Sequence, residues 1–234
     1  MWFFCAGELF SCIWCKCNCT YWGSQAFGVA ALASGRVSVA IGVGSEATGE
    51  AGVSLGGLSK AAGARSVAIG TRANAYGEES IAIGGGLKQG SDNKIGSAVA
   101  QGLKAISIGS DSVGFQHYAV AIGAKSRALL LKSVALGSYS VADVDAGVRG
   151  YDPVEDEPSK NVSFVWKSSV GAVSVGNRKE GLTRQIIGVA AGTEDTDAVN
   201  VAQLKALRGM ISEKEVGILL LIMTIIQLLV QVVH

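Results

Sequence analysis

The chain has 234 residues, with 32 glycines, only 2 prolines and a formal net charge of +1. This length accommodates one long domain with an appendage. The balanced charge, with no Lys/Arg cluster beside aromatic residues along the sequence, gives no basis for nucleic-acid binding. The only histidines are His117 and His234, so we expect no Ser–His–Asp constellation, no histidine-rich metal site, no cofactor and no enzyme.

The first 23 residues have an atypical composition that is rich in tryptophan and cysteine. They contain all five cysteines of the chain: Cys5, Cys12, Cys15, Cys17 and Cys19. Their spacing is compatible with a zinc or iron–sulfur site, but no second half-site follows it. The segment also lacks the basic start and the cleavage site of a signal peptide. An incorrectly assigned start or a divergent leader is therefore a better explanation than a metal centre.

Residues 24–142 are organised as a repeat of 14 positions. Copies of a Ser-Val-Ala-Ile-Gly motif close at these glycines: Gly42, Gly56, Gly70, Gly84, Gly109, Gly123 and Gly137. Weaker echoes lie halfway between the copies, so small residues recur every 7 positions and large apolar pairs every 14. A fixed short period predicts a structural unit that is repeated in space.

The alternation within each copy predicts two short strands and two tight turns per repeat. Strand side chains alternate between two faces, so the small residues share an inner face that admits only Ser, Ala and Gly. The large residues then form an outer apolar column that is too extensive to stay in water. We expect this column to be the core of a parallel homo-oligomer. Its members are Val39, Ile41, Val53, Leu55, Val67, Ile69, Ile81, Ile83, Ile106, Ile108, Val120, Ile122, Val134 and Leu136.

The repeat has one competing explanation and one interruption. A period of seven is also typical of a coiled coil, but glycine at every seventh position costs a helix about 1 kcal/mol each time. Alternating Val and Ile favour strands as well. The interruption lies between Gly84 and Gly109, which are 25 residues apart. The glycine-rich run there predicts a surface loop or an irregular coil, since the spacing of a phosphate-binding loop is absent.

Residues 143–165 form an acidic segment that ends the repeats. Both prolines lie here, and the carboxylates are Asp143, Asp145, Asp152, Glu155, Asp156 and Glu157. This composition predicts a solvated loop. Calcium binding is the weaker alternative, because no register of further ligands follows the Asp-x-Asp pair.

Residues 166–196 are predicted to hold the last head strand and a neck, and residues 197–234 a helical stalk. The run Ser163–Trp166 also has the composition of a strand. Thr196 or Asp197 is a suitable helix N-cap. Apolar residues then follow the spacing of a coiled-coil seam: Leu204, Leu207, Ile211, Ile218, Leu221, Ile225, Leu228 and Val232. Residues 216–233 are so apolar that a membrane-spanning end is an alternative interpretation.

The head repeats, with the segments 184–192 and 197–204, resemble the trimeric autotransporter adhesins that carry a YadA-like head. This resemblance implies a mainly β fold: a left-handed parallel β-roll of 14-residue coils, homotrimeric, followed by a neck and a C-terminal α-helical coiled coil. The neck and stalk residues that it identifies are Arg184, Gln185, Ile186, Val189, Gly192, Asp197, Ala198, Val199, Asn200, Gln203 and Leu204.

The resemblance also implies a function and a location. Family members are displayed on the outer membrane of Gram-negative bacteria and attach the cell to host matrix, host cells or other bacteria. In YadA-like heads the repeats are associated with collagen binding, which places a candidate ligand surface at Ser38, Ser45, Ser66 and Ser80. The family pattern often has Asn before this serine, whereas Val37, Arg65 and Glu79 precede three of them here. A collagen-like partner is therefore an open expectation.

Two other functions are compatible with a trimeric repeat protein. The first is a structural or receptor-binding fibre of a phage, where similar repeats occur. The second is an inert surface spacer, in which the repeats only build the trimer. All three functions need no catalytic chemistry, and all make the chain itself its first partner.

Overall fold

The computed structural model describes residues 11–13, 17–86, 88–89 and 94–232, with the backbone alone at 11–13, 88–89, 94–95, 212–216 and 226–232. The chain divides into two compact units, with the boundary between Arg184 and Gln185. The first unit consists of short strands and turns, and the second unit contains a long helix.

The first unit is a parallel β-roll whose strands alternate between two sheets, as the repeat predicts. The ten-stranded sheet contains, in order, β1 (Ser11–Ile13), β3 (Gln25–Phe27), β5 (Val39–Ile41), β7 (Val53–Leu55), β9 (Val67–Ile69), β11 (Ile81–Ile83), β15 (Ile106–Ile108), β17 (Val120–Ile122), β19 (Val134–Leu136) and β23 (Val173–Ser174). The nine-stranded sheet contains β2 (Asn18–Cys19), β4 (Leu32–Ala33), β6 (Glu46–Ala47), β8 (Lys60–Ala61), β10 (Asn74–Ala75), β14 (Val99–Ala100), β16 (Val113–Gly114), β18 (Arg127–Ala128) and β20 (Val141–Ala142).

Neighbouring strands of each sheet are consecutive coils in strict register. Val39 pairs with Val53, which pairs in turn with Val67, so equivalent residues form columns along the roll. The register survives two insertions, since Ile81 pairs with Ile106 and Val134 pairs with Val173. The break after Gly84 is therefore one enlarged coil.

Each insertion contains a small antiparallel hairpin. The first hairpin joins β12 (Lys88–Gln89) to β13 (Lys94–Ile95), and the second joins β21 (Tyr151–Asp152) to β22 (Glu157–Pro158). The strand expected at Ser163–Trp166 is wrong, because the Trp166 N–H donates to the Ser163 carbonyl across 3.0 Å and closes a turn. Local turn geometry outweighs the strand propensity of Phe164 and Val165 there.

The interior of the roll contains only small side chains. Ala40, Ser54, Ala68 and Ala82 are fully buried in successive coils of the ten-stranded sheet, and Ala47 and Ala61 face them from the other sheet. At the turns, interior serines donate to the carbonyl three residues earlier, as Ser38 does to Gly35 across 2.7 Å. Each buried hydroxyl of this kind is thereby satisfied without another coil.

Close approach between coils explains one set of glycines. A Cβ on Gly49 would collide with the carbonyl of Gly63, and one on Gly63 with that of Gly77. None of these three glycines has a positive φ. They are required by the space between adjacent turns.

The turns also hold non-glycine residues in the left-handed region of φ. One column of them runs along the roll at 14-residue spacing and includes Val37 (φ 57°), Ala51, Arg65 and Glu79. Left-handed backbone costs a residue with a side chain about 1–2 kcal/mol, and the cost is largest for a β-branched residue. Val37 is thus a strained position that is half exposed and contributes little packing.

Replacing Val37 by Asn is therefore expected to stabilise the roll. Asn tolerates the left-handed conformation, so Val37→Asn should raise the free energy of unfolding by about 1 kcal/mol in urea denaturation. Val43→Asn is the matched control, because Val43 is also exposed but has no positive φ. An equal gain in both variants would show that strain at Val37 is not the cause.

The second unit contains α1 (Val201–Val232). The helix begins later than predicted, because Asn200 rather than Thr196 or Asp197 is its N-cap. The Asn200 Oδ1 accepts a hydrogen bond from the Gln203 N–H (3.1 Å), and the Gln203 Oε1 accepts one from the Asn200 N–H (3.2 Å). This reciprocal pair is a capping box, which satisfies two donors at once.

The membrane-spanning interpretation of residues 216–233 finds no support in the structure. Among the described residues, no helix is long and apolar enough to cross a membrane. Side chains from residue 226 onward lie outside that description.

Candidate functional site

The outer side of the ten-stranded sheet is a continuous apolar surface, which we call the apolar face. It consists of the residues that flank the buried alanine or serine in each strand, from Val39 and Ile41 to Val134 and Leu136. Stacking on neighbouring coils leaves most of them half-buried, while Ile41 remains 38% exposed and Leu136 46%. An apolar surface of this length is unusual for an isolated soluble chain.

The four serines expected to form a ligand surface are instead inside the roll. Ser38, Ser45, Ser66 and Ser80 are all fully buried. Ser38 and Ser45 donate to the carbonyls of Gly35 and Gly42 at the adjacent turns. The expectation was wrong because each serine lies on the same side of the chain as the buried alanine two residues on, or at the equivalent inward position of the other strand. Ligand contacts must come from other side chains.

The outer side of the nine-stranded sheet and the turns carry charges that pair one coil apart. Lys60 lies 2.8 Å from Glu46 and Arg36 lies 2.6 Å from Glu50, in both cases across 14 residues. Arg65 contacts Glu78 and Glu79, and Lys104 lies 3.3 Å from Glu79. Arg65 and Lys104 together hold the pKa of Glu79 below its usual value. Opposite charges at the repeat spacing were the sequence signal for these pairs.

The last coil is closed by residues that return from the second insertion. The Arg184 guanidinium donates to the Ser138 carbonyl (2.6 Å), to the Val175 carbonyl and to the Ser140 Oγ (3.0 Å). It also lies against Gly137. A cavity of about 350 Å³ lies at this end of the roll, and its lining includes Asp143 and Arg184. Arg184, which the resemblance placed in the neck, thus contacts the end of the head.

Asp143 forms the second tie at this end. Its carboxylate lies 2.7 Å from the Lys179 Nζ and 3.4 Å from an Arg178 nitrogen. The hydrogen bond from Lys179 is the main reason that the pKa of Asp143 is lowered. Side-chain cations therefore occupy the carboxylate that sequence considered for calcium. Within the described part of the chain, no cluster of three His, Cys, Asp or Glu residues is able to hold a metal ion. Cys5 and Cys15 lie outside that part.

Acidification is expected to loosen the turn that carries Arg178 and Lys179. A carboxylate with a lowered pKa stabilises the fold above its unfolded-state value of about 3.9 and loses that effect as pH falls through the folded-state value. Protection of the amides at 177–182 should therefore fall by about fivefold below pH 3, as measured by hydrogen exchange corrected for intrinsic rates.

Asp143→Asn should show the lower protection already at neutral pH and lose the acid dependence. Asp145→Asn is the control, because the Asp145 carboxylate accepts only a local hydrogen bond from the Ala146 N–H. Unchanged protection in Asp143→Asn would contradict the role given to this ion pair.

The segment before α1 is a compact turn held by three polar side chains. Gln203 donates through Nε2 to the Gly192 carbonyl (3.1 Å) and accepts from the Gly192 N–H (3.2 Å). Asn200 donates to the Val189 carbonyl across 3.3 Å. Asp197 accepts from the backbone of Thr193 and Glu194, which lowers its pKa.

The remaining residues assigned to the neck are largely exposed in the single chain. Ile186, Val199 and Leu204 are 70%, 62% and 57% exposed, and Gln185 and Ala198 are exposed as well. The second unit therefore presents apolar side chains along its whole described length, as a coiled-coil strand does before it meets its partners.

Family comparisons match both units. The description "YadA head domain repeat (2 copies)" matches residues 33–59, 47–73, 61–86, 100–126 and 116–140, and "Coiled stalk of trimeric autotransporter adhesin" matches residues 185–217. The fold and these matches define a β-roll head joined to a coiled stalk. The chain is a member of the trimeric autotransporter adhesins, with a YadA-type head.

Individual relatives agree with this classification. The chain is 87% identical over 122 residues to the autotransporter adhesin BadA of Bartonella henselae, and 51% identical over 69 residues to the trimeric autotransporter adhesin AtaA of an Acinetobacter species. These matches cover 52% and 29% of this chain, but only 4% and 2% of the relatives. A crystal structure of the collagen-binding domain of the Yersinia adhesin YadA is 28% identical, with a TM-score of 0.49, and is matched over 82% of this chain and 99% of that one.

Proposed function

We propose that this chain is an attachment head, displayed on the surface of a Gram-negative bacterium and assembled as a homotrimer through its apolar face. The exposed apolar face carries the proposal, because it runs along the entire head without a covering element in the described chain. The family descriptions support three copies, and the named relatives are adhesins. The ligand is host matrix, a host cell or another bacterium.

Trimer formation supplies the hydrophobic core that a single chain lacks. The interior of one roll buries only Ala, Ser and Gly, whose side chains contribute little transfer free energy. The residues with large transfer free energies, such as Ile69, Ile83 and Ile108, lie on the apolar face. Three parallel copies would place these columns against each other and remove them from water.

Attachment then requires no catalysis. Three identical heads present the same outer side chains three times, so weak single contacts add up to a strong attachment. The phage-fibre alternative is less supported, since the named relatives are bacterial adhesins. The spacer alternative is separated by the binding experiment below.

A charge on the apolar face is expected to dissociate the trimer. Ile69→Asp would bury three carboxylates without partners, at a cost on the order of several kcal/mol per ion. Light scattering of the 234-residue chain should give three times the mass of one chain for the natural sequence and a smaller mass for the variant. Thr48→Asp adds the same charge beside the nine-stranded sheet and should leave the trimer intact. A stable monomer of the natural sequence would overturn the proposed assembly.

Binding assays on the same proteins test attachment itself. The trimer should bind saturably to at least one member of a panel of immobilised matrix proteins that includes collagen, or to host or bacterial cells. Loss of avidity should weaken binding by the dissociated Ile69→Asp variant by about tenfold or more. A flat response of the intact trimer across the panel would favour the spacer.

A further inference from the structure

The charges on the head change from paired to unpaired along the roll. Up to Lys104, most basic side chains contact a carboxylate of a neighbouring coil, as Arg36, Lys60 and Arg65 do. In the later coils, Lys125, Arg127 and Lys132 have no carboxylate within ion-pair distance in the described part of the chain. The later coils therefore present positive charge that the protein itself does not neutralise.

These three cations lie across one coil of the nine-stranded sheet. Arg127 lies in β18, in direct register between Val113 and Val141, so an exposed guanidinium stands between apolar neighbours. Lys125 and Lys132 occupy the two turns on either side of β18, both with left-handed backbone. The backbone N–H groups of these lysines donate to the carbonyls of Ser110 and His117 in the preceding coil. The turns that carry the charges are thus fixed by the roll.

Aromatic side chains lie in the same coils. Phe115 follows β16 and is 45% exposed, and Tyr118 occupies the turn one coil before Lys132 and is 44% exposed. The Lys125 Nζ lies 5.2 Å from the centre of the Tyr139 ring, which is also exposed. Sequence reasoning found no basic cluster with aromatic residues, because these residues are separated along the chain and meet only when coils stack about 4.8 Å apart.

This combination of groups fits an anionic carbohydrate. Arg and Lys bind sulfate-type oxyanions through charge-assisted hydrogen bonds, and Arg does so with two parallel donors. Exposed aromatic rings offer flat apolar surfaces for the apolar sides of sugar rings. A nucleic acid fits less well, since the chain carries a formal net charge of only +1 and an acidic segment adjoins the last coil.

We propose that Lys125, Arg127 and Lys132, flanked by Phe115 and Tyr118, form a binding surface for sulfated polysaccharide. We call this surface the basic face. The proposal names a ligand class for the attachment head and rests on that function. Three copies of the basic face in one trimer would bind a long polyanion by avidity.

The test is binding of the 234-residue chain to heparin as the probe, in about 0.15 M salt. The natural sequence should bind measurably, and the triple variant Lys125→Gln, Arg127→Gln, Lys132→Gln should bind about tenfold more weakly. The control is Arg36→Gln, Lys60→Gln, Arg65→Gln, which removes the same number of charges from paired positions. It should change the affinity by about twofold at most, because those cations already have partners.

A second variant separates a polysaccharide surface from charge alone. Phe115→Ala with Tyr118→Ala keeps every charge, so it should weaken heparin binding by about threefold or more while leaving retention on a cation exchanger unchanged. Light scattering on each variant verifies that the trimer is intact.

Several outcomes would overturn the proposal. These are no binding of the natural sequence, equal losses in both triple variants, equal binding of desulfated heparin, or equal affinity for double-stranded DNA or for anionic lipid vesicles. Matrix-protein and cell binding are measured on the same preparations. If heparin binding fails while those persist, only the basic face is wrong; if all fail, the attachment function fails with it.

Discussion

The spacing between the two sheets is the constraint on which the rest of the structure depends. Ala40 and Ala47 face each other across an interior with no room for a larger side chain. Adjacent turns are just as close, since a Cβ on Gly49 would meet the Gly63 carbonyl. Such a roll gains its order from parallel backbone ladders and serine–carbonyl hydrogen bonds, and only a small part from burial of apolar side chains.

That constraint places the large apolar residues outside. Val39 and Ile41 alternate with the buried Ala40, so they necessarily point away from the interior. Strict register then aligns every such pair into the apolar face, and each coil added to the head extends it. The length of the head and the area available for assembly therefore grow together, which makes the trimer part of the fold itself.

The sequence was sufficient for the repeated part because one physical rule governs every coil. Period, strand positions and the small-residue interior all followed from alternation and glycine spacing. The same rule already excluded Ser38 and Ser66 as surface residues, and only the resemblance placed them there. Features that occur once were harder to predict: the turn at Ser163–Trp166 and the cap at Asn200 depend on single hydrogen bonds that no period reveals. The basic face was missed because its members are contiguous in space but not in sequence.

The division between an invariant interior and an outer surface without that restriction determines where specificity is able to reside. A change at Ala68 or Gly63 would affect the stacking of coils, because both are surrounded by neighbouring coils. A change at Arg127 or Lys60 alters only an outward side chain whose backbone is fixed by both neighbours. Coils with paired charges, such as that of Lys60 and Glu46, present little net potential to a partner. Coils whose cations are unpaired are attractive to an anion at no cost to the fold, which is why ligand recognition is expected in the later coils of the head.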